Sequence, residues 1–212
     1  MRRYSKMEKT DKRTSILNAA EKLFASQGFE GTSTRQIATE AGANISMINY
    51  YFGSKEGVFM QIMSNRIQGF SLALTSIEAE NLNQLEKLMM VIDQYTRRIL
   101  DNIAFHKMMH RELSLSQRPE MYDKLKQAMS GNLMIIERII NEGIAQGEFR
   151  SVDVRMVIAS IMGTITNVVT SPSKITAGSK LDIKIPADRE ILTERLITHL
   201  KDLTKTYLTP QK

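Results

Sequence analysis

Residues Thr32 to Glu56, TSTRQIATEAGANISMINYYFGSKE, constrain the fold more than any other stretch. They spell two short helices, the turn between them and the start of a third in one run of cap and stop residues. Ser33 is a helix N-cap type, and Gln36 stands where it closes a capping box. Ile37, Ala38 and Ala41 give that helix an apolar face. Gly42 suits the left-handed backbone that ends a helix, and Asn44 suits the cap of the next one after only Ala43. Two helices joined by so short a turn form a helix-turn-helix.

At about 100° per residue, Ile45, Ile48 and Phe52 fall on one side of the second helix, which predicts that this side packs inward. The opposite side carries Ser46 and Tyr50, flanked by Asn49 and Met47, with Tyr51 near the boundary. A hydroxyl, an amide and a phenol on a short helix suit the base edges and phosphates of a major groove. The same residues also suit a solvated face of an all-α protein, so the flanking sequence decides between the two.

Upstream, Arg13 to Phe29 places Ile16, Ala20, Leu23 and Phe24 on one stripe with Gly28 at the stop, a third helix to brace the pair. From ILNAAEKLFASQGFEGTSTRQIATEAG to YYFGSKEGVF, the first 60 or so residues closely resemble the N-terminal domain of the TetR family of bacterial transcription regulators. The resemblance rests on AA and LF in the first helix, the G-aromatic turn, T-x-x-x-IA-x-x-AG and F-x-SKE, in order and spacing. It implies DNA contacts by Thr34 and Arg35 at the start of the second helix and by Asn44, Ser46, Met47, Asn49, Tyr50 and Tyr51 of the recognition helix. It also implies a phosphate contact by Lys55, where Ser54 as helix cap adds an anion-binding N-terminus to the ammonium. The chain departs from the family in carrying Asn49 where tyrosine is usual, followed by Tyr50. Asn49 then offers a paired donor and acceptor suited to adenine.

The chain has 212 residues and a formal charge of +6. Arg2, Arg3, Lys6, Lys9, Lys12 and Arg13 gather at the N-terminus against Glu8 and Asp11. Such a terminus reads either as an arm on DNA phosphates or as a solvated tail. No apolar stretch follows the basic start as in a signal peptide, so a cytoplasmic location is expected. Cysteine is absent, which removes disulfides, thiolate zinc sites and thiol redox sensing. Met156 to Val169 is too short and too polar for a membrane span and reads as a buried helix, so no membrane partner is expected. His106 and His110 stand one helical turn apart, but the nearby Glu112 is not on their face and no H-E-x-x-H occurs, so neither metal nor cofactor is expected.

Beyond Lys55 the apolar spacing predicts helix after helix and an all-α fold. Helices are expected over Lys55 to Ser76, Asn83 to Ile103, Ala104 to Leu115, Pro119 to Ala145, Val152 to Ser171 and Ala187 to Tyr207, with one long loop from Ser171 to Pro186. The resulting organisation is a helix-turn-helix DNA-binding domain over residues 1–54 and a helical effector-binding and dimerisation domain over 55–212. Ala159 and Gly163 make one helix face small enough for close approach. In the last helix Leu192, Leu196, Leu200, Leu203 and Tyr207 form a stripe. Ala159, Gly163, Leu196 and Leu200 are the expected homodimer contacts, and ordinary intrachain core is the alternative. The resemblance implies a pocket for an unknown small apolar or amphipathic effector, for which Met89, Tyr95, Phe105, Met108, Met109, Tyr122 and Met134 are the expected lining.

Phosphate-cradling glycine loops, a nucleophile elbow and paired carboxylate signatures are all missing, which speaks against an enzyme. The expected function is a homodimeric repressor on an inverted-repeat operator, released by its effector. The alternative is a DNA-bound architectural or cell-division protein of the same fold with no diffusible ligand.

Overall fold

The computed structural model describes residues 2–114 and 119–210, with the side chains of 2–11, 113–114 and 120–122 outside that description. The side chains of Tyr122 and of Arg2, Arg3, Lys6 and Lys9 therefore lie outside the described set. Ten helices follow in order among the described residues: α1 (Arg2–Gln27), α2 (Thr34–Glu40), α3 (Ile45–Phe52), α4 (Lys55–Ala79), α5 (Gln84–Leu100), α6 (Ile103–Ser114), α7 (Pro119–Ala145), α8 (Val154–Thr170), α9 (Ser173–Thr176) and α10 (Pro186–Leu208). The architecture is all-α. Two expectations are corrected in detail. Helix α1 starts at Arg2 rather than Arg13, and the loop after α8 contains the short α9.

The chain divides into two compact units, Met1–Gln68 with Ala104–Ala128, and Gly69–Ile103 with Met129–Lys212. In the first unit, Ile16, Ala20 and Phe24 of α1, Ile37 of α2, Ile48 of α3 and Phe59 of α4 are buried in one cluster. Phe105 and Met108 of α6 and Leu125 of α7 join it. Phe24, Phe29 and Phe59 form its aromatic centre, with ring centroids 5.3 to 5.7 Å apart. Aromatic pairs at such distances contribute about 0.5–1.5 kcal/mol each beyond their buried area.

The second unit is built on α5, α8 and α10, whose apolar stripes meet in a cluster that includes Leu88, Ile92, Ile165, Leu192, Leu196 and Leu200. Asn83 and Glu86 close a capping box at the start of α5. The Glu148 carboxylate accepts from the backbone N–H groups of Gln84 at 3.0 Å and Leu85 at 3.3 Å, so a residue just beyond α7 satisfies donors at that helix end. Arg97 of α5 pairs with Asp93 at 2.9 Å and reaches Glu190 at 3.0 Å and Glu194 on α10. Lys201 returns to Asp93 at 3.1 Å.

Candidate nucleic-acid interface

The helix-turn-helix is held by the caps its sequence provides. The Ser33 hydroxyl accepts from the Gln36 N–H at 3.2 Å, and the Gln36 side-chain oxygen accepts from the Ser33 N–H at 2.8 Å. Gly42 takes a φ of +58°, the left-handed value that lets the chain leave α2 and enter α3. Its carbonyl accepts from the Lys12 ammonium at 3.1 Å, so α1 fastens the turn as well as bracing the helices. Arg13 donates to Gln61 at 2.8 Å and lies over the Phe52 ring at 5.3 Å. Lys12 and Arg13, grouped in the sequence with the basic terminus, thus hold elements of the first unit in place. Only their position at the edge of the apolar stripe of α1 hinted at this.

On α3, Asn44 is the N-cap. Its side-chain oxygen accepts from the Ser46 N–H at 2.8 Å and also from the Ser46 hydroxyl. Ile48 is fully buried, and Met47, Tyr51 and Phe52 pack half-buried against the same core. Ile45 corrects the expected inward face, because it is 39% exposed. It stands in the first turn of the helix, beyond what the neighbouring elements cover. Asn49 is exposed, and Tyr50 is 75% exposed with its ring edge-on to Tyr51 at 5.1 Å. On α2, Arg35 is exposed and Thr34 half-buried.

Lys55 opens α4 beside the cap made by the Ser54 hydroxyl, which accepts from the Gly57 N–H at 3.1 Å. The lysine is drawn in more than a surface lysine would be, with its side chain 18% exposed. Its ammonium donates to the Phe29 carbonyl at 2.9 Å, lies 4.3 Å from the centre of the Phe29 ring and is 4.0 Å from a Glu30 carboxylate oxygen. The candidate interface is therefore the exposed side of α3, with an exposed cation, Arg35, on α2 and a largely buried one, Lys55, at the start of α4.

Known proteins resemble the chain in both its N-terminal and its C-terminal part. Residues 16–62 match the bacterial regulatory proteins of the tetR family, and residues 59–199, well over half of the chain, match the C-terminal region of YsiA-like proteins. The chain belongs to the TetR family. The fatty acid metabolism regulator protein of Bacillus subtilis is 28% identical over 165 residues, spanning 77% of this chain and 84% of that protein. The transcriptional repressor NicS of Pseudomonas putida is 34% identical over 148 residues, spanning 65% of this chain and 66% of the repressor. Among solved structures, the transcriptional regulator FadR from Bacillus subtilis in complex with stearoyl-CoA is similar with a TM-score of 0.71 and 26% identity, covering 88% of this chain and 96% of that one. This TetR-family chain is a DNA-binding transcriptional regulator.

The remaining site residues fall into different surroundings. Phe105 and Met108 are buried in the core of the first unit, with Met109 packed half-buried against it. Met89 and Tyr95 are half-buried against the core of the second unit, where burial pushes the Tyr95 phenol up to about 12. Met134 is 62% exposed on α7, in an open groove with Arg138, Asn141 and Ala145. Of the residues expected around an effector, Phe105, Met108 and Met109 thus belong to the core of the first unit and Met89 and Tyr95 to that of the second, while the Tyr122 side chain lies outside the described residues. Ala159 and Gly163 are exposed, whereas Leu196 and Leu200 are buried in the core of their own chain. The large apolar residues that α8 and α10 leave exposed are Met156, Ile191, Leu203 and Tyr207. Among the described residues, no helix is long and apolar enough to cross a membrane.

Proposed function

We propose that this chain is a homodimeric, cytoplasmic repressor that binds an inverted-repeat operator and is released by an amphipathic effector of the long-chain acyl-coenzyme A class. The observation that carries the effector class is the 26% identity, over 88% of this chain, to a regulator seen with stearoyl-CoA. Such a ligand joins a long apolar chain to a polyanionic head, and the half-buried Met89 and Tyr95 offer it adaptable apolar contact. The division of labour we propose is DNA reading by residues 1–54 and effector binding and dimerisation by 55–212. Thr34, Arg35 and Lys55 serve phosphates, Asn49 and Tyr50 face the groove, and Asn44, Ser46, Met47 and Tyr51 shape the helix that carries them. The dimer joins through the exposed small residues of α8, Ala159 and Gly163, and the exposed side of α10. The effector leaves unchanged, without turnover.

Footprinting of the full chain on DNA flanking its own gene tests this reading. The expected result is a protected inverted repeat, released by stearoyl-CoA at far lower concentration than by coenzyme A or stearate, with stearoyl-CoA recovered intact. A footprint indifferent to all three removes the acyl-CoA class. Scattered protection without an inverted repeat replaces the repressor with an architectural protein.

A further inference from the structure

We infer that Ile45 is a base-reading residue and that, with Asn49, it selects an adenine neighbouring a thymine in each half-site of the DNA target. The inference rests on sequence-specific DNA binding by α3. At about 100° per residue, the exposed side of α3 runs through Ile45, Asn49, Ser46 and Tyr50 in that order. The buried Ile48 and the half-buried Met47, Tyr51 and Phe52 occupy the other side. The Ser46 hydroxyl is already spent on the Asn44 side chain, which itself caps the helix. Asn49 is exposed, and its carboxamide has no hydrogen-bond partner among the described residues, so both donor and acceptor remain for a ligand.

Adenine presents an N7 acceptor and an N6 donor in the major groove, the pair that a carboxamide matches, and no other base offers the two together. Ile45 stands one helical turn from Asn49 and is 39% exposed, so both side chains address the same or adjoining base pairs. A branched apolar side chain finds one apolar group on the floor of that groove, the C5-methyl of thymine. Covering each with the other removes both from water. Cytosine and guanine at that position offer no methyl, so Ile45 discriminates by what it leaves uncovered.

The test uses the full chain and a duplex pool with a randomised core, enriched by wild type, Ile45→Ala and Asn49→Ala in parallel. Thymines of the enriched wild-type duplex are then replaced one at a time by uracil, which lacks only the methyl. We expect one mirrored thymine per half-site at which uracil weakens wild-type binding by roughly fourfold, the effect of uncovering a methyl. Ile45→Ala should be indifferent to that replacement. Asn49→Ala should lose its preference for the neighbouring adenine by roughly 5- to 150-fold. Both positions are exposed, and an unchanged thermal midpoint verifies folding. Should the alanine variant unfold, Ile45→Val, with its smaller branch, should retain a reduced uracil sensitivity. Wild-type binding indifferent to every uracil, or Ile45 variants as sensitive as wild type, overturns the inference. A pool from which nothing is enriched overturns sequence-specific reading itself.

Discussion

A lysine ammonium has three donors, and Lys55 spends one of them on the Phe29 carbonyl. The Phe29 ring and the Glu30 carboxylate steady it, so the charge is held at the N-terminus of α4 instead of sweeping through solvent. An ammonium fixed at a helix N-terminus is a good phosphate partner, because the dipole and the cation act on the same anion. Lys55→Ala is therefore expected to weaken binding to operator and random DNA alike. Each lost phosphate contact should flatten the slope of log K against log salt by about 0.9, twice over in a dimer. The substitution also removes the tie to Phe29, so thermal stability should fall together with affinity. Lower stability with an unchanged salt slope would assign Lys55 to the α1–α2 turn alone. Lys55→Arg keeps the charge and should keep the slope.

Between elements, the junction of α3 and α4 leaves no room for a side chain at Gly57. A Cβ at Gly57 would lie 1.8 Å from the Phe52 carbonyl oxygen, and the obstacle is backbone that no rotamer change relieves. Gly57→Ala must open the joint, at a cost of about 1–3 kcal/mol in urea unfolding. Opening it tilts α3, so operator affinity should drop more than affinity for random DNA. Unaltered stability and an unaltered ratio would mean that the joint is loose. The helix-turn-helix was legible in the sequence because Ser33, Gly42, Asn44 and Ser54 each announce a helix end by their own backbone chemistry. Ile45 was not, because an angular stripe names the apolar side of a helix but not how far its neighbours extend over the first turn. The early start of α1 was hidden for a related reason. Arg, Lys, Met and Glu are good helix formers without an apolar stripe to mark them. Leu196 and Leu200 show a third limit: one stripe is the same whether its own chain covers it or a second copy does, and here its own chain does.

At the scale of the whole molecule, the proposed dimer depends on what α8 and α10 leave uncovered. A Cβ at Gly163 meets nothing within 4 Å in its own chain, so Gly163→Leu should fold as wild type while forcing two copies apart. Mass measurement in solution should then find monomer, and a fully dimeric variant would place the interface elsewhere. Half-sites one DNA turn apart, about 34 to 36 Å, require the two recognition helices to keep one spacing, so a monomer should also lose operator binding. The same requirement is what an effector can exploit. A ligand shifts the dimer between arrangements only by its difference in affinity for them, however tightly it binds. Helix α4 contributes Lys55 to the first unit and Phe70, Leu74 and Ile77 to the core of the second, so one helix has residues in both. Stearoyl-CoA at about a hundred times its dissociation constant should stabilise the DNA-free protein by about 2.7 kcal/mol in thermal unfolding. It should lower operator affinity by some factor, and linkage requires operator DNA to lower stearoyl-CoA affinity by that same factor. Fluorescence titrations of each ligand in the presence and absence of the other measure both. Tight binding of stearoyl-CoA with no reciprocal loss would make it a passenger and not the inducer, because a ligand that binds both arrangements equally moves neither.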